Sequence, residues 1–155
     1  MRFRISGLPL ERFAQLLELD ADGLARAGIV EMTVDEPNAY PCRVTLEDAA
    51  PGETVLLLNY AHLEGRTPYA SSGPIFVRRR ATRTGTSVDA IPEQQRRRLL
   101  SVRAYDDRDW MIDASVTPGA ELEGAIERFF ADPRVQYLHV HNAGRGCYAC
   151  RVDRA

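Results

Sequence analysis

The twelve residues from His139 to Cys150, HVHNAGRGCYAC, hold two of the chain's three histidines and two of its three cysteines. A thiolate is a nucleophile and a metal ligand, and an imidazole is a base or a ligand, so nucleophilic or metal chemistry would sit here. The nucleophilic reading makes Cys147 the attacking or ligating thiol and His141 its partner, with Asn142, Tyr69 or Asp106 available to orient the imidazole. The metal reading gathers His139, His141, Cys147 and Cys42 around zinc, because imidazoles at i and i+2 on a strand face the same way. No carboxylate is evidently placed behind either ring. Free cysteines are more often buried than reactive, so the chain is expected to work without a cofactor, zinc being the alternative.

Several familiar signatures fail on spacing. Cys147 and Cys150 form C-x-x-C, but on one strand their sulfurs point to opposite faces, and no second pair completes a zinc knuckle. A thioredoxin-like site would need a helix after the motif, and five residues remain. Gly144, Gly146 and Ala149 spell G-x-G-x-x-A without room for the βαβ unit of a dinucleotide site. Ser71-Ser72-Gly73 lacks the G-x-S-x-G frame and precedes a strand, so it is a tight turn whose hydroxyls and N–H groups face a ligand.

These groups need a scaffold. Val135 to Asn142 reads as a strand that sends Tyr137, His139 and His141 to one face, and Cys147 to Asp153 as its hairpin partner. Matching the apolar faces pairs Val140 with Tyr148, His141 with Cys147 and His139 with Ala149. Arg2 to Ile5 predicts a first strand, followed by a helix near 9–19 on Leu10, Phe13, Leu16 and Leu17. Tyr40, Cys42, Val44 and Leu46 alternate with polar residues and predict a strand paired with Val55 to Tyr60, which leaves Arg43 facing away from Cys42. His62 to Gly73 reads as loop, Pro74 to Arg79 as strand and Arg83 to Asp89 as loop. A short helix near Glu93 to Arg98 and strands at Leu100 to Tyr105 and Trp110 to Val116 follow. The strongest helix is 118–131, with Thr117 as N-cap and Leu122, Ile126, Phe129 and Phe130 in one stripe. Strands outnumber helices without βαβ alternation. The expected architecture is a single α+β domain, 1–155, with a largely antiparallel sheet.

At 155 residues, 45% hydrophobic and 27% charged, the composition is that of a soluble globular domain rather than a disordered or fibrous chain. The net charge of −2 gives no general affinity for polyanions. All 20 basic residues are arginine, each a planar fork suited to carboxylate or phosphate. Residues 78–103 concentrate 8 of them against 2 acids, yet no nucleic-acid motif accompanies the cluster, so a nucleic-acid partner is not expected. Three cysteines do not make a disulfide scaffold, and the longest strongly apolar run, Val55 to Leu58, is far too short for a membrane span. A cytoplasmic location follows, with the oligomeric state left open.

With these blocks in view, the chain resembles the bacterial family called domain of unknown function 1203. The resemblance rests on Tyr40-Pro41-Cys42-Arg43, Pro51-Gly52-Glu53 before Val55 to Leu58, Ser72-Gly73-Pro74-Ile75-Phe76-Val77, and His139-Val140-His141-Asn142 with Gly146-Cys147-Tyr148. It implies no reaction, cofactor or ligand. The same blocks carry the polar chemistry, and the expected function is a small-molecule site, anionic in preference, built from Cys42-Arg43, Tyr69 to Gly73 and His139 to Cys147. Its ligand-binding residues would be Arg43, Tyr69, Ser72, His139, Asn142 and Arg145. A non-catalytic protein-interaction module is the first alternative, and a Cys/His-based or zinc-dependent enzyme the second.

Overall fold

Nine strands build two antiparallel sheets in the computed structural model, which describes residues 2–155. The first sheet has six strands: β1 (Phe3–Ser6), β5 (Thr86–Val88), β6 (Leu99–Tyr105), β7 (Met111–Pro118), β8 (Tyr137–Asn142) and β9 (Tyr148–Arg154). Their spatial order is β5-β1-β9-β8-β6-β7. The second sheet places β3 (Thr54–Leu63) between β2 (Val30–Thr33) and β4 (Ser71–Arg78). The helices are α1 (Ala14–Leu17), α2 (Ala21–Arg26), α3 (Glu93–Arg96) and α4 (Leu122–Phe130). The α+β class and the antiparallel pairing agree with the sequence, and the whole forms one compact domain.

Period decides which faces are buried. Leu122, Ile126, Phe129 and Phe130 of α4 cover Leu100, Val102, Leu138, Val140, Cys150 and Val152 on one face of the six-stranded sheet. Burying side chains of this size stabilises the fold by about 2 kcal/mol each before entropy is counted. The opposite face carries Arg103 beside His139, Ser101 beside His141 and Tyr105 beside Tyr137. The three-stranded sheet approaches that second face, where the His62 ring lies 5.1 Å from the Tyr148 ring and stacked on it.

Several elements differ from the sequence expectation. The helix expected near 9–19 is a 3-10 turn, Leu10–Arg12, followed by the single turn α1. Thr117 lies within β7, which runs to Pro118, and does not cap α4: a second 3-10 turn, Gly119–Glu121, intervenes and its flanking residue is Pro118. The segment 40–46 is no strand. It touches its neighbours through isolated bridges, Pro41 to Asp48 and Cys42 to Phe76, and β3 pairs instead with β2 and β4. All six residues from Pro41 to Leu46 are buried, so alternation does not describe a half-exposed strand here. The arm lies against the joined ends of β1 and β5: Leu8 N donates to Arg43 O at 2.8 Å and Gly85 N to Val44 O at 2.8 Å. A Cβ at Gly85 would run into the carbonyl of Thr45, so only glycine permits this approach.

The predicted hairpin register is also corrected. Val140 pairs with Cys150 and His139 with Arg151, while His141 pairs with Tyr148, leaving Ala149 unpaired in a β-bulge. The extra residue reverses the side-chain parity beyond it. Tyr148, expected on the apolar face with Cys150, therefore joins the histidine face, and Cys147 falls outside the strand.

The basic stretch is largely neutralised within the fold. Arg78 pairs with Glu53 and Glu47, Arg79 with Glu31, Arg83 with Glu47, and Arg98 with Asp48. All three cysteines are free. Among the described residues, no helix is long and apolar enough to cross a membrane.

Candidate functional site

The loop after β8 closes tightly on itself. Gly146 N donates to Asn142 O at 2.7 Å and Asn142 N to Cys147 O at 2.9 Å, with Gly146 at φ +76°, the left-handed conformation that glycine adopts freely. This turn sets Cys147 at the mouth of the hairpin, half-buried. The arm delivers Arg43 to the same place. Its Nη2 donates to Cys147 Sγ at 3.0 Å, its Nε to Tyr148 O at 2.6 Å and its Nη1 to Pro41 O. Arg43 is 1% exposed, yet no carboxylate pairs with it among the described residues. Burial lowers its pKa, and the nearby sulfurs oppose that shift.

Asn142 approaches the same thiol, Nδ2 lying 3.5 Å from Cys147 Sγ, while its Oδ1 is buried without a partner. Arg43, Asn142, Arg145 and Cys147 line a cavity of about 580 Å³ together with Tyr40, Phe76 and the acidic Glu36. Arg145 makes no ion pair among the described residues. A smaller cavity of about 300 Å³ shares Arg145 and Cys147 and adds His62, Ser72, Arg103, His141 and Tyr148.

His141 does not pair with the thiol. Its Nδ1 donates to Gly146 O at 3.0 Å, a carbonyl being able only to accept, and Nε2 is buried without a partner. Asn142, Tyr69 and Asp106, considered as orienting groups, do not fill that role. Asp106 instead accepts from Arg108 N and Trp110 N, each at 2.9 Å. Burial, with the nearby arginines, depresses the imidazoles of His141 to about 4 and of His139 to about 2, and lowers His62. Desolvation comes first in each case, because a buried imidazolium would have no anion beside it.

The structure thus gathers Arg43, Asn142, Arg145, Cys147, His141 and Ser72 around two adjoining cavities and leaves two expected residues outside their linings. Tyr69 packs edge-on to Trp110, with ring centroids 5.3 Å apart. His139 lies behind the smaller cavity, its ring 5.1 Å from Tyr148. Cys42 is separate as well: its sulfur accepts from Thr45 N and Arg78 N in the core. The set His139, His141, Cys147 and Cys42 does not converge, and no other group of three metal-ligating side chains does so among the described residues. His62 and Arg103 were not singled out by the sequence. The signals were present, since His62 continues the strand period of β3 and Arg103 is a charge inside the apolar run of β6.

The molecule is an antiparallel α+β protein in which a buried guanidinium without an acidic partner lies beside a half-buried thiol. The chain belongs to the family described as Protein of unknown function (DUF1203), whose model matches residues 39–154. That span includes the arm, the hairpin, the smaller cavity and all of the larger cavity's lining except Met32, Glu36 and Asn38. No curated protein and no solved structure matches the chain.

Proposed function

We propose that the protein binds a small anionic molecule in the larger cavity, with Arg43 and Arg145 supplying the positive charge and Asn142 a hydrogen bond. The supporting observation is the Arg43 guanidinium, 1% exposed and without an acidic partner, at the edge of a cavity of about 580 Å³. A buried charge is costly unless something pairs with it, and a bound anion would complete the arrangement. Cavities of this size suit a metabolite-sized ligand. Cys147 lies within that lining, so a ligand with an electrophilic centre would meet a thiol there. The interaction-module reading has weaker support, because the exposed apolar residues Val30, Val88, Leu99, Trp110 and Val116 are spread over several elements. We place the protein in a bacterial cytoplasm and invoke no cofactor.

Calorimetric titration with succinate and with its neutral diamide tests the reading. Succinate should bind saturably, the diamide should not, and Arg145→Ala should weaken succinate by about tenfold, the loss of one charge-assisted contact. Equal binding of the diamide, or no saturable succinate binding, would overturn it.

A further inference from the structure

The smaller cavity has a polarity of its own. His141 is 1% exposed, and its Nδ1 hydrogen is committed to the Gly146 carbonyl at 3.0 Å. Holding the hydrogen on Nδ1 makes Nε2 of the neutral ring a lone-pair acceptor, and this nitrogen is buried with no partner. A cation is a poor occupant, because Arg103 and Arg145 line the same space and neither makes an ion pair among the described residues. The ring is also kept neutral by burial and by Arg103 and Arg43. The cavity therefore combines cationic donors with two histidines, His62 and His141, each of which has a buried ring nitrogen without a partner in the fold. A plain carboxylate satisfies the donors and leaves the His141 acceptor bare.

We infer that the smaller cavity is a second binding site, for a small carboxylate that carries a hydroxyl: Arg103 and Arg145 hold the carboxylate, and His141 Nε2 accepts the hydroxyl hydrogen. Ser72, at the start of β4, adds a hydroxyl to the rim, and His62 packs edge-on against the His141 ring in the same lining, centroids 5.0 Å apart. The volume of about 300 Å³ is ample for such an occupant. The inference goes beyond the larger cavity and does not require that cavity to be filled.

Glycolate and acetate differ by the hydroxyl alone, so the wild-type protein can be titrated with each while the histidine ring nitrogens are followed by ¹⁵N NMR. Glycolate should bind about tenfold tighter than acetate, since acetate leaves a buried acceptor unpaired. In the free protein the His141 Nε2 signal should be that of an unprotonated nitrogen and should shift on glycolate binding. Arg103→Met should remove glycolate binding while leaving succinate binding in the larger cavity intact, which separates the two sites. Equal affinities for glycolate and acetate, no binding of glycolate, or a protonated Nε2 in the free protein would each overturn the inference. The two-ligand comparison and the nitrogen signal need no variant, so they decide even if Arg103→Met fails to fold.

Discussion

Arg43 donates from Nη2 to the sulfur of Cys147 at 3.0 Å, across a separation of 104 residues in the chain. The contact ties the buried arm 40–46 to the mouth of the β8–β9 hairpin. It also replaces the Cys147–His141 pair expected from the sequence, because the bulge at Ala149 puts Tyr148 opposite His141 and moves the thiol off the strand.

Thiol reactivity should follow that geometry. Iodoacetamide should label Cys147 in the native protein and reach Cys42 and Cys150 only after unfolding, since both are fully buried. Burial also raises the Cys150 thiol to about 12. His141→Ala should leave the Cys147 labelling rate within about twofold of wild type, whereas Arg43→Gln should change it more, the guanidinium being the donor to sulfur. Peptide mapping by mass spectrometry reads both rates. A large effect of His141→Ala with none from Arg43→Gln would restore the Cys–His pair.

Removing Arg43 should cost stability. Arg43→Met strips donors from the carbonyls of Tyr148 and Pro41 and leaves them buried, at about 1–3 kcal/mol for each unsatisfied group. A loss of about 2–4 kcal/mol in urea unfolding is expected, part of the gross cost being offset by removing a buried charge. Unchanged stability would mean that the arm is held by its other contacts alone.

Gly85→Ala tests the seating of the arm from the other side. Its methyl group would collide with the backbone carbonyl of Thr45, which no side-chain rotation relieves. The expected cost is about 2 kcal/mol or more, with altered labelling of Cys147 as the arm shifts. Wild-type stability in this variant would contradict the close approach.

Acid should destabilise the fold before carboxylates begin to titrate. The folded-state values of His141 and His139 lie below their ordinary 6.5, so the unfolded chain binds protons that the native state refuses. Stability from this source is full above pH 6.5 and is lost as the pH falls toward about 4 at His141 and lower at His139. For a histidine shifted this far, the loss by pH 5 is about 2 kcal/mol. Urea unfolding at pH 7.5, 6 and 5 should show the decline, and His141→Gln should remove about half of it, His139 supplying most of the rest. A flat profile down to pH 5 would contradict the buried, neutral imidazoles.

Much of the fold was legible where one face meets the core and the other meets water. The stripe of Leu122, Ile126, Phe129 and Phe130 announced α4, and the alternation in 137–142 announced β8 with its histidine face. The arm misled because Cys42 and Val44 alternate as in a strand, while Arg43 and Thr45 between them are also buried, held by the close passage at Gly85. The register failed at Ala149, since a bulge depends on what the strand packs against and not on local pattern. Within the site, the sequence supplied Arg43, Asn142, Arg145 and Cys147. It could not say that His62 and Arg103 share a cavity with His141, a meeting produced by the packing of the three-stranded sheet on the six-stranded one.

The most direct measurement is an amide chemical-shift titration of the wild-type protein with succinate at pH 7.5. Saturable shifts should appear at Arg43 and across Asn142 to Cys147, with little change around Trp110 at the distant turn between β6 and β7, and they should weaken in Arg145→Ala. Absence of saturable shifts at Arg43 and the 142–147 loop, or shifts centred elsewhere, would contradict an anion site built on the buried guanidinium.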